Sequence, residues 1–134
     1  MGQRPRKPKT TPETREKRYD IRVGVPVAIR ASASCVISGR TVYGWVRNLS
    51  RGGLFMTTNE TFAMETELDI DALTRDGDKV SRLRLRAWVA FEGEGVGDAE
   101  GERGMGLQFG EMAPEMAAHI NELLIRFSRE NQLN

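Results

Sequence analysis

Two short clusters hold the residues best suited to chemistry: Arg18-Tyr19-Asp20-Ile21-Arg22, and Asn48-Leu49-Ser50-Arg51-Gly52-Gly53. A guanidinium is a permanent cation with its N–H donors in a planar fork, so it can grip phosphate oxygens in pairs or stack on a ring. Asn and Ser add a neutral acceptor and a hydroxyl, and glycine lets a backbone come close. Each cluster alone is a weak signal, because paired arginines or an Asn-x-Ser triplet arise readily in a chain that is 29% charged. Other chemistries are excluded more firmly. Cys35 is the only cysteine and His119 the only histidine, so no internal disulfide can be built, and neither a common zinc set nor a His-based triad is expected. No catalytic residue and no metal site is expected. Asp69-Ile70-Asp71 has the look of a carboxylate pair, but strand alternation puts both acids on one outer side without a third ligand, which is the pattern of a solvated face. The acids and glycines from Glu92 to Glu102 lack the spacing of an EF-hand.

The elements that must position these clusters follow from periodicity. A chain of 134 residues with 39% hydrophobic content encloses one modest core. No apolar run approaches the roughly 20 residues needed to cross a bilayer. Residues 1–16 are basic, hold three prolines and carry no large apolar side chain, so they read as a flexible arm without the pattern of a signal peptide, and the cytoplasm is the expected address. From Val23 to Ala31 apolar residues alternate as in one half-buried strand, with Pro26 placing it near an edge or start. Ser38-Gly39-Arg40 reads as a hairpin turn, after which a long strand runs towards Asn48. Strands are expected at Leu54–Thr58, around Leu68–Ala72, at Leu83–Phe91 and at 104–109, with a turn at Arg75–Asp78 and a loop from Gly93 to Gly104. Met116, Ile120, Leu123, Leu124 and Phe127 then switch to helical spacing behind Pro114. The expected fold is mainly β: a small antiparallel six-stranded barrel at about 23–110 with a C-terminal helix at about 114–130 packed on it.

In combination the two clusters resemble the signature of the PilZ domain family, RxxxR followed some 20 to 30 residues later by (D/N)xSxxG. Val25-Pro26-Val27, Gly53-Leu54-Phe55 and Gly104-Met105-Gly106-Leu107-Gln108-Phe109 also look like that family's strand sequences, and the resemblance covers roughly residues 17–127. It implies a bacterial receptor, not an enzyme, that holds the second messenger cyclic di-GMP between the arginine-bearing linker and the barrel's outer face, and passes the signal to a partner protein. By the same resemblance, Arg18 and Arg22 contact phosphate and guanine, with Lys17 adding positive charge. Asn48 accepts from the guanine edge, Ser50 donates to a phosphate or base acceptor, and Gly53 admits the ligand without a Cβ in the way. Many family members carry Asp where this chain has Asn48, and a neutral acceptor makes the weaker hydrogen bond. The chemistry suits arginine, which can fork onto phosphate or the guanine O6/N7 edge and can stack on a purine.

Competing readings are plainer. Asn48 and Gly53 serve equally well as turn residues, Gly53 by supplying a positive φ. Trp45 and Trp88 are read as packing, Cys35 as a small strand hydrophobe and His119 as a surface or boundary residue. An adaptor that binds no nucleotide and works only through protein contacts is the alternative function. A nucleic-acid polymer is not expected as a partner, because no strand face shows a row of aromatic residues interleaved with basic ones. The basic arm is expected to fold over the ligand when the arginines engage it.

Overall fold

The computed structural model describes residues 21–76, 78–95 and 99–133. Alternating sequences become strands where one face can be buried, and seven form among the described residues: β1 (Val23–Gly24), β2 (Arg30–Cys35), β3 (Thr41–Leu49), β4 (Gly53–Thr57), β5 (Glu67–Asp76), β6 (Lys79–Glu94) and β7 (Arg103–Phe109). One helix, α1 (Pro114–Leu133), follows. Antiparallel pairing runs β3-β2-β5-β6-β7-β4, and β4 returns to β3, so six strands close a barrel and β1 is an additional strand beside β3. Closure leaves no edge among these six, and the expected barrel with a C-terminal helix is the observed fold.

The Val23–Ala31 run is not the single strand that its alternation predicts. β1 pairs Gly24 with Asn48, β2 pairs Arg30 with Trp45, and the residues between leave the ladder. Pro26 accounts for the break, since it has no N–H to donate. Val25 N–H still reaches the Arg47 carbonyl at 3.0 Å and Ile29 O still accepts from Val46 at 2.9 Å, so both ends of the gap stay tied to β3. The expected loop from Gly93 to Gly104 is also shorter, because β6 and β7 stay paired to Glu94↔Arg103. The expected turn at Ser38–Arg40 forms, with Gly39 at φ 79° and its N–H donating to Cys35 O at 2.8 Å.

Inside the barrel, Ala31, Val46, Leu54, Met56, Leu68, Ile70, Leu83 and Leu107 are buried, and α1 covers the core with Ile120, Leu123 and Phe127. Met116 and Leu124 of the expected stripe pack half-buried at its margin. Alternation also sends Phe91 inward, but a register shift between Val89 and Phe91 turns it out of the core. There it stacks on Phe55, ring centroids 5.8 Å apart. Gly106 lies between them in register, and a Cβ there would sit 2.1 Å from the Phe91 ring. Ala99 and Gly95 close over Phe55, making a small second apolar cluster on the outside of the barrel.

Candidate functional site

The extra strand positions the site. β1 lies on the end of β3, with Val23 opposite Leu49 and Gly24 opposite Asn48, and this carries the preceding residue Arg22 over Asn48. Arg22 Nη1 donates to Asn48 Oδ1 at 2.9 Å. Two residues 26 positions apart in sequence, one from each cluster, therefore meet. Arg22 is exposed while Asn48 is only 3% exposed, so a buried acceptor holds one terminal nitrogen of a side chain that is otherwise open to solvent. Lys17 and Arg18 lie outside the described residues, as does the expected arm.

Ser50, also 3% exposed, is engaged locally. Its Oγ accepts from Gly53 N at 3.1 Å and from Gly52 N at 3.3 Å, and donates to Gly53 O at 3.3 Å, while Ser50 N donates to Gly53 O at 2.8 Å. The hydroxyl holds the β3–β4 turn together. Gly53 does not supply a positive φ, and the reason for glycine there is proximity: a Cβ would lie 2.1 Å from the Leu107 carbonyl oxygen of β7. Asn48, Ser50 and Gly53 are thus brought together by the β3–β4 connection, and Arg22 is added by β1.

The structure also draws in residues that sequence reasoning passed over. Arg47 sits at the β3 register shift between Val46 and Asn48, and its Nε donates at 3.1 Å to Oε2 of Glu102, the residue just before β7. Its place next to Asn48 was the available signal. Trp88 is buried, as a packing residue should be, but Trp45 is 45% exposed and Tyr43 is 62% exposed. Their alternate positions on β3 put both rings on the outer face, where the Arg30 guanidinium lies 5.7 Å from the Trp45 ring centroid and 6.0 Å from that of Tyr43.

The two acids of Asp69-Ile70-Asp71 do face outward, and they belong to an ion-pair ladder. Arg86 reaches Glu67 at 2.7 Å and Asp69 at 2.8 Å, and Arg82 reaches Asp71 at 2.9 Å. The hydrogen bonds that Arg86 donates, to Asp69 first and then to Glu67, hold its guanidinium above the ordinary range. Among the described residues no group of acids, Cys and His is arranged to hold a metal ion. Cys35 is half-buried, and hydrogen bonds from the Ser38 hydroxyl and N–H hold its thiol below the ordinary range. No described helix is long and apolar enough to cross a membrane.

A closed six-stranded antiparallel barrel with one extra strand and a C-terminal helix defines the class, a small β-barrel domain. The PilZ domain model matches residues 13–126, and the chain belongs to the PilZ domain family. Among solved structures it is similar to the PilZ domain with c-di-GMP of YcgR from Escherichia coli, at 15% identity and TM-score 0.66 over 87% of this chain and 95% of that one. It is also similar to the Inhibitor of motility (MotI/DgrA) of Bacillus subtilis, at 15% identity and TM-score 0.63, covering 85% of this chain and 52% of that one. Of the longer YcgR chain, in complex with c-di-GMP, it covers 48% at TM-score 0.67. No curated protein sequence matches the chain.

Proposed function

We propose that this protein is a non-enzymatic receptor for cyclic di-GMP that acts in the bacterial cytoplasm and changes its contact with a partner protein when the ligand binds. The observation that carries this reading is the 2.9 Å contact between Arg22 and Asn48, which joins the two halves of the signature at one place on the barrel surface. Arg18 and Arg22 grip phosphate and the guanine O6/N7 edge, and Lys17 adds charge beside them. Asn48 turns its amide oxygen from Arg22 to the guanine N–H donors, and this frees Arg22 for the ligand. Ser50 and Gly53 complete the site by holding the turn in place. Domain limits of 17–130 behind an arm at 1–16 fit this division of labour. The similarity to an inhibitor of motility makes a motility component the first partner to test.

A second reading, an adaptor that binds no nucleotide, is favoured by one feature: the Asn48 oxygen and the Ser50 hydroxyl already have partners within the chain. Calorimetric titration with cyclic di-GMP separates the two. The receptor gives saturable heat, and Arg18→Ala or Arg22→Ala weakens binding by about 1 to 3 kcal/mol each. Absence of heat from the unaltered chain overturns the receptor reading and leaves the adaptor.

A further inference from the structure

We infer that the outer face of β3 carries a second ligand site, distinct from Arg22 and Asn48, that takes a purine nucleotide. Beside Trp45 and Tyr43 lies an open depression of about 460 Å³, whose lining also includes Thr58, Asn59 and Arg103. Thr58 is only 7% exposed, and its Oγ1 is buried without a hydrogen-bond partner. That hydroxyl is closed to solvent, so Thr58 bounds the depression without offering it a polar contact. Arg103 and Arg30 make no ion pair with a carboxylate among the described residues, whereas the one acid in the lining, Glu102, is held by Arg47 at 3.1 Å. The site therefore offers two exposed aromatic rings, with the Arg30 guanidinium already lying over them, an amide with both donor and acceptor, and in Arg103 a cation without an ion pair among the described residues.

That set matches a planar base carrying phosphate. The base stacks on the indole, the Asn59 amide meets polar atoms on its edge, and the guanidinium groups take the phosphate. A purine covers more of the exposed rings than a pyrimidine. A polymer fits less well, because the neighbouring outer face is balanced by Glu67, Asp69 and Asp71. Trp45 stands three residues before Asn48 on the same strand, roughly 10 Å at ~3.3 Å per residue, so neither site shares a side chain with the other. The two assignments stand or fall separately.

The chemistry recognised is common to a free nucleoside monophosphate and to one half of cyclic di-GMP, and the experiment has an arm for each. The full chain is titrated with GMP while tryptophan fluorescence and heat are followed. Saturable quenching is expected, weakened roughly 5- to 150-fold in Trp45→Leu. Arg103→Ala and the exposed Arg30→Ala should weaken it as well. Circular dichroism of each variant reports folding, and the arginine variants keep the test valid if Trp45→Leu does not fold. In the second arm the Asn48→Ala chain is titrated with cyclic di-GMP. An event there that is lost on adding Arg103→Ala, with no response to GMP, identifies the dinucleotide as the source. No Trp45- and Arg103-dependent event with either ligand overturns the site.

Discussion

Ser50 shows how one side chain can be read two ways. Its hydroxyl accepts from two backbone N–H groups and donates to a carbonyl, so removing it strands buried polar groups. Ser50→Ala should cost about 1 to 3 kcal/mol of stability in urea unfolding, while the affinity of the folded chain for cyclic di-GMP stays within a few-fold of the unaltered protein. A loss of affinity with unchanged stability would assign Ser50 to the ligand instead. At Cys35 the sign is set by hydrogen bonding to the thiolate, chiefly from the Ser38 hydroxyl. Ser38→Ala removes that support, so the thiol pKa rises, less thiolate is present at a given pH, and the pH profile of iodoacetamide alkylation moves to higher pH.

At the scale of elements, the site depends on strands that the chain reaches only through close backbone approaches. Gly53→Ala places a Cβ 2.1 Å from Leu107 O and must push β4 and β7 apart. Overpacking of this kind costs about 1 to 3 kcal/mol, read as a lower urea midpoint. β1 is short and is held from two sides, by its pairing with β3 and by Asn131 Nδ2 of α1, which donates to Gly24 O at 3.1 Å. The periodicity of Val23–Ala31 marks side chains that are buried, Val25, Ile29 and Ala31 among them, but alternation cannot say that the chain leaves the ladder after Gly24 and rejoins it at Arg30. Phe91 fails for the same kind of reason, because a register shift reverses the face of every residue beyond it.

For the molecule as a whole, α1 and the barrel share one core, so they should unfold together. Phe127, fully buried where the helix covers the barrel, is the sharpest probe. Phe127→Ala should cost about 3 to 5 kcal/mol, with circular dichroism and tryptophan fluorescence moving in one coincident transition. The β5–β6 ion-pair ladder is a surface feature, and each exposed pair contributes only about 0 to 1 kcal/mol. The urea midpoint should therefore respond little to added salt.

The sequence alone determined the barrel with its closing helix, because period-two and period-3.6 patterns record which faces must be buried. It also determined the two clusters, because residue type and spacing are local facts. Tertiary structure alone decided that Arg22 lands on Asn48, since that contact spans 26 positions and depends on a two-residue strand laid across the end of another. It likewise decided that Ser50 serves its own turn, and that Arg30, Tyr43 and Trp45 share one outer face. A row of basic and aromatic residues assembled across neighbouring strands is invisible along any single strand, because side chains meet through register and closure, which a linear pattern does not encode.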